Sequence, residues 1–136
     1  MPLVNVRYIV NDVEEAVAFY TTYLGFTVIS ITAPAFADVS RGDLRLLLSG
    51  PTSSGGRRTS DGRVPSPGGW NRIQLVVADL KLEVARLSAA GIRWRNEIVT
   101  GPGGAQILLE DPSGNLIELF QPRRREESIE ASGRPV

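Results

Sequence analysis

The sequence contains no cysteine and no histidine among its 136 residues. The absence of cysteine excludes disulfide bonds, thiolate nucleophiles, and zinc or iron–sulfur sites built on cysteine. The absence of histidine removes the commonest general base and the commonest ligand of transition metals. Together these absences exclude many of the catalytic and metal-binding arrangements that enzymes use.

The chain also lacks an excess of either charge, since it has 15 lysine and arginine residues and 15 aspartate and glutamate residues. A basic excess is what neutralises phosphates, so the composition predicts no nucleic-acid partner. Aliphatic runs such as Leu46–Leu48 are far shorter than the roughly 20 residues that span a bilayer. The opening residues lack the apolar stretch of a secretory signal. We therefore expect a cytoplasmic protein with no membrane partner.

The pattern that is present consists of one series of elements that occurs twice. Val4–Val10 alternates as a strand, Asp12 is placed to cap a helix with Glu15 three residues later, and Gly25 ends that helix. The strands predicted after this helix are Phe26–Ile31, Phe36–Val39 and Leu44–Leu48. The second series is a strand over Trp70–Val77, a helix from Asp79 to Gly91, an extended segment over Ile92–Val99, and strands over Ala105–Leu109 and Leu116–Phe120.

This duplication predicts a single α+β domain over residues 1–122, built from two tandem βαβββ modules at 3–48 and 70–122. Residues 49–69 are rich in glycine, serine, proline and arginine and predict a flexible loop. Residues 123–136 form a charged, aperiodic tail that we expect to be disordered. Aligning the copies on the capping residues Asp12 and Asp79 places Asn5 on Arg72, and aligning them on the turn glycines Gly42 and Gly114 places Leu46 on Glu118.

Three stretches of the chain resemble the vicinal oxygen chelate superfamily, which includes glyoxalase I, extradiol dioxygenases and bleomycin resistance proteins. They are NVRYIVNDVEEAVAFYTTYLGF, WNRIQLVVADLKLEVARLSAAGIRW and GPGGAQILLEDPSGNLIELFQP. The resemblance covers about residues 3–122, and the segment from Asp111 to Leu119 is its most specific part. It implies that the two modules form an open, cup-shaped mixed sheet, with a divalent metal bound at its mouth in the enzymes.

The positions that the resemblance assigns to metal ligands hold Asn5, Leu46, Arg72 and Glu118, so only one carboxylate is kept. Zinc sites take three or four protein ligands, and a guanidinium has no acceptor atom. We therefore predict an Arg72–Glu118 ion pair in place of a metal, and no cofactor. A strand slip would direct Asn71 inward instead of Arg72, and the sequence leaves that alternative open.

Alternation along the strands predicts a mostly apolar pocket with a few polar groups, as in small-molecule sites. Phe36 and Trp70 are candidates for flat walls against a ring-bearing ligand. The full set of predicted ligand-binding residues is Asn5, Arg7, Phe36, Leu46, Leu48, Trp70, Arg72, Gln74, Glu118 and Phe120.

The preferred hypothesis is a metal-independent binding protein, similar to the bleomycin-resistance branch, that sequesters an aromatic natural product or antibiotic. The resemblance implies a homodimer in that case. The alternative is a metal-dependent lyase, isomerase or dioxygenase of the same superfamily, for which Glu118 is the surviving feature.

Overall fold

The computed structural model describes residues 4–123, and these residues divide into two compact units. Unit 1 comprises residues 4–71 and 111–116, and unit 2 comprises residues 72–110 and 117–123. The chain carries two helices and two four-stranded sheets in the order βαβββ twice, so the predicted α+β duplication is confirmed. Of the predicted tail at 123–136, all but Arg123 lies outside the described residues.

The sheet of unit 1 has the spatial order β1-β4-β3-β2, with β1 and β4 parallel and the other neighbours antiparallel. Its elements are β1 (Val4–Ile9), α1 (Val13–Tyr23), β2 (Thr27–Thr32), β3 (Phe36–Arg41) and β4 (Leu44–Ser49).

Helix α1 begins and ends where the sequence predicts. The Asp12 side chain accepts a hydrogen bond from the Glu15 backbone N–H at 3.0 Å, and Gly25 takes the positive φ of 71° that follows the helix. The helix packs against β3 and β4 through one apolar face. Tyr20 lies in this core, and its hydroxyl donates to Asp111 Oδ2 at 2.8 Å. Burial, together with the Asp111 carboxylate, raises the pKa of Tyr20 well above its ordinary value.

The sheet of unit 2 has the order β5-β8-β7-β6. Its elements are β5 (Arg72–Val76), α2 (Leu80–Ala89), β6 (Val99–Gly101), β7 (Gly104–Glu110) and β8 (Leu116–Pro122). The Asp79 side chain caps α2 by accepting from the Leu82 N–H at 3.1 Å. Neither helix in residues 4–123 is long and apolar enough to cross a membrane.

Two predicted strand boundaries in the second half are wrong. The extended segment over Ile92–Val99 is a strand only from Val99, with one isolated bridge at Trp94. Here the Asn96 side chain accepts from the Leu108 N–H at 2.9 Å and so replaces a backbone carbonyl of a regular ladder. Strand β5 starts at Arg72 rather than Trp70, and Gly68 and Gly69 before it have positive φ.

The segment between β4 and β5 contains no helix or strand, and its first part is built from hydrogen-bonded turns. The Ser53 hydroxyl donates to the Gly50 carbonyl at 2.7 Å and accepts from the Gly56 N–H at 3.0 Å. These three residues are buried, so this part of the segment packs within unit 1. The flexibility of residues 49–69 stays a prediction.

Candidate functional site

Strands β1 and β4 present two faces, one beneath α1 and one on the opposite side, which we call the open face. Residues paired across parallel strands share a face, and the register pairs Arg7 with Leu47 and Tyr8 with Leu48. The prediction that Leu46 and Leu48 lie on the face of Asn5 and Arg7 is therefore wrong. Both leucines are fully buried on the face that packs against α1, so they belong to the core and not to a ligand site.

The error comes from the lengths of the two hairpin turns. Gly42 and Asp43 form a two-residue turn between β3 and β4, whereas three residues separate Asp111 from Asn115, whose carbonyl accepts from the Asp111 N–H at 2.9 Å. A difference of one residue moves every side chain of the following strand to the other face. Aligning the copies on their turn glycines therefore misplaces β4 by one position.

Equivalent backbone hydrogen bonds give the correct alignment of the two modules. The Val10 N–H donates to the Ser49 carbonyl at 2.9 Å, and the Val77 N–H donates to the Phe120 carbonyl at 2.9 Å. Two residues before these acceptors lie Leu47 on β4 and Glu118 on β8. The counterpart of Glu118 is thus Leu47 rather than Leu46, and the first module still offers no carboxylate at that position.

In unit 2, three of the predicted site residues form one hydrogen-bonded cluster. Arg72 donates to Glu118 Oε1 from Nε at 3.1 Å and from Nη2 at 3.0 Å. Gln74 Nε2 donates to Glu118 Oε2 at 2.6 Å. The Glu118 side chain is only 8% exposed and that of Arg72 is 29% exposed. Both carboxylate oxygens are therefore engaged by nitrogen donors inside this unit, and the predicted Arg72–Glu118 ion pair is confirmed.

The same contacts answer the question of strand register in β5. Arg72 and Gln74, which are two positions apart, both reach Glu118, whereas Ile73 between them is buried. Arg72, and not Asn71, therefore lies on the face of Glu118. Phe120, two residues further along β8, is half-buried.

The open face of unit 1 carries a second polar cluster. Aligning the modules on their turn glycines places Arg45 on the other face of β4, so the sequence does not predict this cluster. Asp38 on β3 is buried, accepts a hydrogen bond from Ser30, and pairs with Arg45 at 2.7 Å. Burial alone would raise the pKa of Asp38, but the hydrogen bonds from Ser30 and Arg45 and the charge of Arg45 outweigh it, so the pKa is lowered. Arg45 is thereby largely neutralised within the sheet.

Arg7 and Phe36 line a cleft of about 440 Å³ in unit 1. Arg7 Nη1 donates to the Ser49 hydroxyl at 2.7 Å, and Phe36 is paired with Ser49 in the register of β3 and β4. The remaining lining residues are Ala35, Arg45, Leu47, Thr52, Ser53 and Ser54. The sequence reasoning missed Arg45 and Leu47, and unequal turn lengths in the two hairpins are the signal that would have found them.

Asn5 and Trp70 are both exposed in the structure. Asn5 is exposed on β1, where the register pairs it with Arg45. Trp70 precedes β5 and is 67% exposed. Its role as a wall for a ligand stays a prediction.

The donor set does not fit the divalent metal that the resemblance implies. Glu118 already accepts hydrogen bonds on both oxygens, and the guanidinium of Arg72 lies beside it and would repel a cation. Across residues 4–123, no three histidine, cysteine, aspartate or glutamate side chains are grouped so that they could hold a metal ion. The described side chains therefore offer a single engaged carboxylate where a metal site needs several free donors.

Comparison with known proteins places the chain in a family. The sequence model of the Glyoxalase/Bleomycin resistance protein/Dioxygenase superfamily matches residues 3–119. The chain belongs to this superfamily. No curated protein matches it.

Solved structures of the superfamily share its fold. A member from Sphaerobacter thermophilus DSM 20745 is 26% identical with a TM-score of 0.70, covering 89% of this chain and 97% of that one. A glyoxalase/bleomycin resistance protein/dioxygenase from Nocardioides is 25% identical with a TM-score of 0.66, covering 90% of this chain and 83% of that one. Lactoylglutathione lyase from Agrobacterium tumefaciens is 19% identical with a TM-score of 0.69, covering 88% of this chain and 92% of that one, which shows a common fold alone.

Proposed function

We propose that this chain is a cytoplasmic small-molecule-binding protein of the glyoxalase/bleomycin-resistance superfamily that works without a metal. Its ligand on this proposal is an aromatic natural product or antibiotic, which the protein sequesters. Sequestration requires affinity alone, so the absence of histidine and cysteine does not weaken it.

The observation that carries the proposal is the engagement of both oxygens of Glu118. The carboxylate accepts from Arg72 at 3.0 Å and 3.1 Å and from Gln74 at 2.6 Å, so three of its roughly four acceptor sites are occupied, and it must give up hydrogen bonds before it can offer both oxygens to a cation. The bonds are charge-assisted and part-buried, so their loss is costly. Arg72 would remain beside the metal as an unpaired positive charge.

The mixture of polar and apolar side chains in the two units supports binding of an organic ligand. Unit 2 presents Arg72, Gln74 and Glu118 with Phe120 on the same strand as Glu118, and unit 1 presents a cleft in which an arginine lies beside an aromatic ring. A few directed hydrogen-bonding groups among apolar side chains are typical of small-molecule sites.

Metal loading tests the proposal against its alternative, a metal-dependent lyase, isomerase or dioxygenase. The purified protein is incubated with manganese, iron, nickel or zinc, desalted, and assayed for bound metal. We expect less than stoichiometric metal, with the same residual amount in a Glu118→Gln variant. One metal per chain that is lost in Glu118→Gln would establish the alternative and overturn the proposal.

Ligand titration tests the binding half of the proposal. Aromatic and glycopeptide antibiotics are titrated while tryptophan fluorescence is followed, with and without a chelator. We expect saturable binding of an aromatic compound that the chelator does not change. Flat responses across the panel, or binding abolished by the chelator, would contradict the proposal.

We further propose that the protein is a homodimer, and the exposed edge of unit 1 supports this. Strand β2 lies at the edge of its sheet and exposes Val28, Ile29 and Ile31, which are between 41% and 52% accessible. Exposed apolar edge strands readily pair with another chain. Light scattering should report twice the monomer mass for the wild type. Ile29→Lys should reduce this mass, whereas the control Val64→Lys, on the loop, should leave it unchanged. A monomeric wild type would refute the dimer.

A further inference from the structure

The cleft of unit 1 combines a wall of apolar side chains with arginine and hydroxyl groups. Phe36, Leu47 and Ala35 contribute apolar surface, and Thr52 and Ser54 contribute hydroxyls from the segment after β4. Its volume of about 440 Å³ lies within the range of small-molecule sites, roughly 300–1,000 Å³.

The charges that line this cleft do not cancel. Arg45 donates to Asp38 Oδ2 from Nε and Nη2, each at 2.7 Å, so its charge is balanced by a buried carboxylate. Arg7 donates instead to the neutral hydroxyl of Ser49. Among residues 4–123, no carboxylate forms an ion pair with Arg7. The cleft therefore retains one positive charge.

The backbone of the following segment lies against the Arg7 side chain. A Cβ atom built on Gly55 would lie 2.7 Å from Arg7 Cζ and 2.8 Å from Arg7 Cδ, so a larger residue here would displace the end of the Arg7 side chain. Gly55 has no positive φ, so this close approach, and not the backbone conformation, is what a substitution here would change. A guanidinium held between Ser49 and Gly55 loses less conformational freedom when it binds a ligand.

We propose that this cleft binds the carboxylate of a small aromatic acid, with Arg7 as the anion contact and Phe36 against the ring. The planar fork of a guanidinium matches a carboxylate and forms short, charge-assisted hydrogen bonds with it. Paired aromatic rings attract each other beyond the effect of the area that they bury, so Phe36 favours a ligand with a ring. The inference rests on the proposed function only in that the chain binds an organic ligand, and it names the ligand's chemical class.

The test compares 2-naphthoate with its neutral amide, 2-naphthamide, by chemical-shift titration of the full chain. We expect the carboxylate to bind at least tenfold more tightly than the amide. Arg7→Gln should remove this preference, and Gly55→Ala should reduce it because the added methyl group displaces the guanidinium. Arg57→Gln is the matched control, since it removes the same charge from an exposed position on the same segment.

Equal affinities for the two probes, no binding of either at millimolar concentration, or an unchanged preference in Arg7→Gln would overturn the inference. The amide spectrum of each variant shows whether it is folded. 2-Naphthyl phosphate is the third probe: binding tenfold tighter than the carboxylate would identify the anion as a phosphate and refute the assignment of a carboxylate. Stoichiometric metal at Glu118 with an intact Arg7-dependent preference would refute the proposed function while leaving this inference standing.

Discussion

Replacing Arg72 with methionine tests directly whether the guanidinium stabilises Glu118. Methionine keeps an unbranched apolar stem of similar reach but removes the donors at 3.0 Å and 3.1 Å from Oε1. The Gln74 bond to Oε2 remains, so one oxygen of a carboxylate that is 8% exposed loses its partner.

The expected loss follows from the burial of the pair. Removing one partner of a fully buried ion pair costs about 3–5 kcal/mol, and an exposed pair contributes about 0.2–1 kcal/mol. The Arg72 side chain is 29% exposed, so water can replace part of the lost hydrogen bonding. We expect the free energy of unfolding to fall by about 2–3 kcal/mol, between these two limits.

Urea denaturation of Arg72→Met, Glu118→Gln and the double variant gives the coupling between the two side chains. We expect a coupling energy of at least about 1 kcal/mol. Arg86→Met is the matched control in unit 2, because Arg86 pairs with Glu83 at 2.6 Å on the surface of α2. If Arg72→Met loses no more stability than Arg86→Met, and the double variant is additive, the reasoning about Glu118 is refuted.

Three further predictions concern unit 1, and all are measured by urea denaturation. Leu46→Ala should cost about 2–5 kcal/mol because Leu46 is fully buried beneath α1, whereas Leu47→Ala on the open face should cost about 1 kcal/mol or less. Asp38→Asn should cost about 1.5–3 kcal/mol at pH 7 through its charge-assisted bonds. Because the folded-state pKa of Asp38 is lowered, this difference is present above the unfolded-state pKa of about 3.9 and is lost as the pH falls through the folded value. Tyr20→Phe should lower the free energy of unfolding by about 1–2 kcal/mol at pH 7. Above about pH 10 the Tyr20 hydroxyl ionises in the unfolded chain before it ionises in the folded chain, so the wild type loses stability as the pH rises. The variant lacks this hydroxyl and should lose less stability over the same range.

Each of these has a result that would count against it. Equal losses for Leu46→Ala and Leu47→Ala would mean that the register of β4 is misassigned. A difference between wild type and Asp38→Asn that does not shrink at all as the pH falls below about 3.9 would show that ionisation of Asp38 is not its source. If the free energy of unfolding falls as steeply above about pH 10 in Tyr20→Phe as in the wild type, then Tyr20 is not the source of that fall.

Much of the fold was predictable from the sequence because its helices carry local signals. Asp12 and Asp79 are followed by helical patterns and both cap their helices, while Gly25 and Gly91 have positive φ just beyond the helix ends. These interactions span only a few residues, so local chemistry decides them. The Arg72–Glu118 pair was predictable for a different reason, since the resemblance assigns both of these oppositely charged residues to the same metal site.

The face of β4 was not predictable from its own residues, because Leu44–Ser49 has apolar or mixed side chains on both sides. Alternation in Arg45–Leu46–Leu47–Leu48 is weak, so the choice of face depended on the turn before the strand. The two-residue turn at Gly42–Asp43 differs by one residue from that of the second hairpin, and sequence similarity between the glycines favoured the wrong alignment. The same misalignment put Arg45 on the wrong face of β4, so its pairing with Asp38 was not predicted either.

Anomalous diffraction from crystals soaked in manganese or nickel tests the central claim most directly. The account predicts no anomalous peak at Glu118, with the Arg72 guanidinium still within hydrogen-bond distance of Oε1 and Gln74 Nε2 still bonded to Oε2. A peak about 2.0–2.2 Å from the Glu118 carboxylate, with Arg72 displaced from it, would contradict the account.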